Sequence, residues 1–188
     1  EIFSTFLVNS EIRKKIKKNK KSNKVLNIQK QNNLIKTLDF SLTTDQIKSL
    51  KEINNDLSSS NKMFRLLQGD VGSGKTIVSL LAAYNTVNAG FQVAVMAPTE
   101  ILARQHFTLA KKIFSKNLKL ELISGKSIYK EKKVILDNLH NHKIDIIFGT
   151  HAIFQKKVNF KKLGLIIIDE QHKFGVNQRK RLSDKGGV

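Results

Sequence analysis

Cysteine is missing from all 188 residues, so the chain can build neither a disulfide framework nor a thiolate metal site. A reducing compartment is its natural home. Long apolar runs are missing too: "LIII", residues 165–168, stands far below the roughly 20 residues a membrane helix needs. The first residues, "EIFSTFLVNSEIRKK", place their charge after the apolar part and lack a small-residue cleavage site, unlike a secretory leader. The chain begins with Glu1, the expectation being a piece of a longer protein. Acids are scarce, 15 against 34 Lys and Arg, which leaves a net charge of +19. A balance that basic points toward phosphate-bearing partners. Arginine is scarce as well, supplying only Arg13, Arg65, Arg104, Arg179 and Arg181. In a chain this rich in Lys, Asn and Ile, an AT-rich genome is an equally good source of part of the charge.

What is present is enough for a core, since 40% of the residues are hydrophobic, and the length suits one domain with an appendage. Residues 1–38 hold ten Lys or Arg against Glu1 and Glu11. Within them, "SEIRKKIKKNKKSNK" spaces Ile12 and Ile16 four apart on a basic helical segment. This reads as a basic linker helix over 1–39, with a nucleic-acid arm as the alternative. From Phe40 onward the pattern is regular. Thr43 and Gln46 form a capping box ahead of Ile47, Leu50 and Ile53, predicting a helix. The stretches "MFRLLQ", "FQVAVMAP", "LKLELIS", "DIIFGT" and "LGLIIIDE" are strand candidates, separated by helical patterns near 75–89, 100–115 and 127–141. Such alternation predicts an α/β domain with a parallel sheet flanked by helices, whose ligands bind at the carboxyl ends of the strands.

Glycine is used sparingly, ten in all, yet Gly69, Gly72 and Gly74 fall within six residues. Gly69, Gly74, Lys75 and Thr76 match G-x-x-x-x-G-K-[ST] between a strand and a helix, with Asp70, Val71, Gly72 and Ser73 inside the loop. Glycine permits the turn and the close approach of backbone N–H groups to phosphate, and the helix amino terminus adds a favourable partial charge. Lys75 then reaches the β- and γ-phosphates of ATP, and Thr76 ligates Mg2+. "LGLIIIDEQH" delivers Asp169 to the same metal and Glu170 as a general base.

Together "FSLTTDQ", "QGDVGSGKT", "APTEILARQH", "GTHAIFQ" and "DEQHKFGVNQR" resemble the motifs of superfamily 2 helicases, most narrowly the RecG-type branched-DNA translocases. The likeness runs from about Phe40 to the end. It implies a RecA-like P-loop domain over 40–188, the first of two motor domains, with a wedge domain preceding the linker in the parent chain. Phe40 and Gln46 fall in the segment that such motors use to read adenine; Gln46 also caps its helix, and both roles are compatible. The resemblance places Pro98, Thr99 and Gln105, then Ser124, Gly125 and Lys126, then Gly149, Thr150 and His151 on the DNA backbone, contacts that position a strand without reading sequence. Gln171 and His172 sense the γ-phosphate. Implied is an ATP-dependent DNA helicase remodelling branched DNA in the bacterial cytoplasm during recombination and repair. A transcription-repair coupling translocase and a truncated nucleotide- or DNA-binding module are the alternatives. Because no "SAT"-like motif or second motor domain follows, the piece alone is expected to bind Mg-ATP weakly, hydrolyse it poorly and unwind nothing. An arginine finger supplies roughly 10³–10⁵ in rate in comparable systems.

His140 and His142 flank Asn141 with no cysteine or carboxylate cluster nearby and read as a solvated helix end rather than zinc ligands. Phe91, Phe107, Phe114 and Phe148 read as core, and Phe174 as the exposed candidate.

Overall fold

The computed structural model describes residues 24–114, 118–123, 125, 129–155 and 158–170. The expected basic helix, Ser124, Lys126 and everything from Gln171 onward, including His172 and Phe174, lie outside them. Helix α1 (Ile28–Lys36) starts where the Asn27 side chain accepts from Lys30 N at 3.0 Å. Although it falls in the stretch read as linker, it buries Gln31 and Leu34 in the domain's own core. Helix α2 (Thr44–Ser58) starts on the predicted capping box. Thr43 Oγ1 accepts from Gln46 N at 3.3 Å, and Gln46 Oε1 accepts from Thr43 N at 2.9 Å. Helix α3 (Lys75–Asn88) leaves the glycine loop, followed by β1 (Gln92–Met96), α4 (Glu100–Phe114), β2 (Leu120–Ile123), α5 (Tyr129–His140) and β3 (Ile146–Gly149). A 3-10 turn (His151–Phe154) and β4 (Leu163–Ile168) complete the order.

The four strands form one sheet in the order β2-β3-β1-β4, every pairing parallel. Parallel strands need both faces covered, and alternation along β1 shows how that is met. Val93 and Val95 enter a core with Leu34, Leu50, Leu57, Leu81 and Phe114 from helices α1–α4. Ala94 and Met96 enter a second core with Leu139 of α5, Ile147 and Ile153. The result is a layer of helices on each side of a buried sheet. Phe91, Phe114 and Phe148 are buried, and Phe107 packs edge-on against Phe148, as their positions predicted. His140 is exposed at the end of α5, and His142 takes a left-handed turn with φ 57°.

At the start of β4, Gln92 pairs with Leu163 and Val93 with Leu165, so Gly164 is the residue without a register partner. A Cβ there would stand 2.8 Å from Phe91 Cγ, which explains why the bulge falls on glycine.

One strand candidate fails: residues 63–68 join none of the four strands. Met63 and Leu67 are half-buried while Phe64, Arg65 and Leu66 between them are exposed, so the burial does not alternate residue by residue. A strand also needs a neighbour for its backbone hydrogen bonds, and no local pattern supplies one. Arg65 pins this segment to α2 instead, with Nη1 2.7 Å from Glu52 and Nη2 2.8 Å from Asp56. Hydrogen bonding to Asp56 raises the already high Arg65 pKa, so the guanidinium stays charged.

Candidate functional site

All four strands run parallel and end on one edge of the sheet. Because α3 leads directly into the start of β1, its own first turn and the glycine loop lie toward that edge. The loop enters α3 through Gly74, whose φ of 78° and ψ of 22° lie in the left-handed region. A Cβ at Gly74 would also collide with Gln46 Nε2, so two independent demands meet at this residue. Lys75 folds back over the loop, and its Nζ donates to Gly69 O and Asp70 O at 2.7 Å each. No acid occupies the first turn of α3, which leaves the helix's positive end uncompensated. An ammonium, a helix amino terminus and a wide glycine turn together form a seat for polyphosphate. Val71 at the tip is fully exposed.

Gln46 bridges to this seat. Its Nε2 donates to Ser73 O at 2.9 Å while its Oε1 holds the Thr43 cap. The capping role is therefore joined by a tie to the loop, and each amide atom keeps one further hydrogen-bonding site toward a base. Phe40, ahead of the same helix, is half exposed.

On β4 the ladder extends one residue past Ile168, because Asp169 N donates to Met96 O at 2.9 Å. The chain then turns sharply: Glu170 has φ 51°, a left-handed conformation uncommon outside glycine, and its side chain is exposed. Asp169 thus sits at the end of the sheet and Glu170 just off it. The Asp169 Oδ2 lies 2.7 Å from His106 Nε2 on α4. His106 is the last residue of "APTEILARQH", yet no role follows for it from the sequence, because it and Asp169 are 63 positions apart and their spacing carries no signal.

The strand order sets the remaining loops side by side. Met96 pairs with Gly149 and Ile123 also pairs with Gly149, so the loops after β1, β2 and β3 are neighbours. Thr99 caps α4, its Oγ1 accepting from Leu102 N at 3.3 Å; it is exposed, as is Gln105, and Pro98 is half-buried. Gly125 N already donates to Glu100 Oε1 at 2.6 Å, and Lys132 Nζ donates to Gly125 O at 2.9 Å. Gly149 is enclosed against Ile123 and Ile153, and Thr150 is 8% exposed. Of that third group, only His151 is open to solvent.

The sequence profile of the DEAD/DEAH box helicase family matches residues 43–185, and the chain belongs to that family. Its relatives narrow the likeness. It is similar to the ATP-dependent DNA helicase RecG of Thermotoga maritima, 46% identical over 187 residues, covering 99% of this chain and 24% of that protein. It is also similar to RecG of Streptococcus pneumoniae, 53% identical over 150 residues, 80% of this chain and 22% of that one. The chain therefore spans about a quarter of the length of the curated relatives it matches. Among solved structures, RecG bound to a three-way DNA junction superposes with a TM-score of 0.82 at 46% identity, covering 88% of this chain and 23% of that one. The UvsW helicase of bacteriophage T4 shares the fold, with a TM-score of 0.61 at 16% identity over 90% of this chain and 58% of its own. The α/β fold expected from strand alternation, and its RecA-like character implied by the motif resemblance, are thereby established.

Proposed function

We propose that this chain is the ATP-binding first motor domain of a RecG-type DNA translocase that remodels branched DNA in bacterial recombination and repair. The observation carrying the proposal is the loop 69–76: a positive helix end, with Lys75 held over it, on the sheet edge that also bears Asp169. Polyphosphate displaces the two carbonyls as partners of Lys75 Nζ, and the backbone N–H groups of residues 72–76 close around it. The Thr76 hydroxyl and Asp169 carboxylate are hard oxygen donors of the kind Mg2+ prefers, so the donor set fits that ion. Thr76 and Asp169 would hold the ion, which would supply positive charge to offset the charge that develops on the phosphates. Glu170 orients and deprotonates the attacking water. Phe40 and Gln46 flank the adenine, and Gln171 and His172 follow the catalytic pair as sensors of the γ-phosphate.

DNA lies across the row of loops after β1, β2 and β3, gripped through Pro98, Thr99, Gln105, Ser124, Gly125, Lys126 and His151, with Gly149 and Thr150 shaping the floor. The solved complex of RecG with a three-way junction supports a branched substrate. The linker 1–39, a wedge domain and a second RecA-like domain of the parent protein supply fork engagement and the arginine finger. No helix among the described residues is long and apolar enough to cross a membrane.

The test is ATP turnover by the full-length protein that contains this chain, with forked DNA, linear duplex, RNA or nothing added. Strong stimulation by the fork, reduced to background in Lys75→Ala, is expected. Equal turnover in every arm overturns the branched-DNA reading.

A further inference from the structure

Helix α4 brings to the proposed metal site a side chain to which the motif reading assigns no role. His106 Nε2 approaches Asp169 Oδ2 to 2.7 Å, with the histidine side chain 12% exposed and the aspartate 33%. An ionised carboxylate only accepts hydrogen bonds, so the hydrogen sits on Nε2 and the histidine donates. The main chain of Asp169 is fixed by Met96 O, but that bond leaves the two side-chain torsions of the carboxylate free. His106 removes that freedom. One carboxylate oxygen is engaged, and Oδ1, with its own lone pairs, stays available to a cation or an ordered water.

We infer that His106 is a positioning residue for Asp169, presenting its carboxylate in the orientation that receives the metal. The inference rests on the reading of Asp169 as the magnesium-side acid. Partners that orient a ligating carboxylate matter nearly as much as the ligand, and their loss costs about 10–100-fold in metal affinity. A histidine that served packing alone would affect stability and leave metal affinity untouched.

The experiment measures Mn2+ affinity by electron paramagnetic resonance, using the full-length protein with a non-hydrolysable ATP analogue and no DNA. Wild type is compared with His106→Ala, His106→Gln and His106→Asn, each also melted thermally. The Gln amide nitrogen reaches the place of Nε2, whereas that of Asn falls short near the place of Nδ1. Expected is an affinity lower by about tenfold or more in the Ala and Asn variants and close to wild type in the Gln variant. Wild-type affinity in all three variants, whatever their melting temperatures, overturns the positioning role. A loss of equal size in Gln and Asn also overturns it, because a donor at the Nε2 position would then be irrelevant. If wild type itself binds no Mn2+–nucleotide, the metal reading of Asp169 falls, and the inference falls with it.

Discussion

Gln92 is fully buried, and every polar group of its amide is used. Its Nε2 donates to Leu139 O at 2.8 Å and Ile144 O at 2.9 Å, while Oε1 accepts from Lys161 N at 2.9 Å and Lys162 N at 3.1 Å. One side chain thus ties the turn after α5 to the turn before β4. Replacing it with leucine leaves Ile144 O, Lys161 N and Lys162 N without this partner, while Leu139 O keeps its bond from His142 N, so Gln92→Leu should lose about 2 kcal/mol, read by urea unfolding. In sequence the residue is a lone polar letter in "FQVAVMAP", and nothing local says that two distant turns converge on it. Gly74 contrasts with it, because the G-x-x-x-x-G-K-[ST] motif marks it from neighbouring residues alone. Alanine there must take φ near +78° and push Gln46 aside, so Gly74→Ala should cost roughly 1–2 kcal/mol and weaken ATP binding. Fluorescent-nucleotide titration beside a thermal melt checks both effects; unchanged affinity would sink the account of the loop.

At the scale of elements, three helices are linked by amides within the core. Gln31 Nε2 of α1 donates to Leu81 O at 3.3 Å, Asn54 Nδ2 of α2 to Gln31 Oε1 at 2.9 Å, and Asn85 Nδ2 of α3 to Asn54 Oδ1 at 2.9 Å. This chain incorporates α1 in the domain. Asn54→Leu leaves Gln31 Oε1 and Asn85 Nδ2 without partners and should destabilise by about 2 kcal/mol in chemical denaturation. The Arg65 bridges to α2 behave differently, since the guanidinium is 32% exposed and solvent screens it. Arg65→Ala should cost under about 1 kcal/mol, and a much larger loss would show that the segment 62–68 depends on that tether. Helix boundaries near 75–89 and 100–115 were legible because caps and 3.6-residue periodicity are local properties. The status of 63–68 was not, because strand pairing is a property of two segments.

For the whole molecule, the charge of +19 governs association more than folding. With few arginines for bidentate base reading, phosphate contacts by lysine should dominate, so DNA affinity should fall linearly on a log–log plot against salt and vary little with sequence. Fluorescence anisotropy over a salt series measures this; a flat plot would mean that the excess lysine is surface composition unrelated to DNA. The sheet order is what turns separate motifs into one surface. Pairing β1 with both β3 and β4 sets the β1 and β3 loops next to each other and Asp169 beside them. Predicted roles then divide by exposure: Thr99, Gln105 and His151 can meet a ligand directly, while buried Gly149 and Thr150 shape the surface.

Sequence alone determined the α/β alternation, the glycine loop with Lys75 and Thr76, the Asp169–Glu170 pair and the capping box at Thr43, because each depends on residues within a turn or two of one another. Tertiary structure decided that Gln46 reaches Ser73, that His106 meets Asp169, that Gln92 knots two turns and that 63–68 stays outside the sheet. Each of those depends on which distant segments the burial of both sheet faces brings together, and on whether their hydrogen-bonding groups then find a partner.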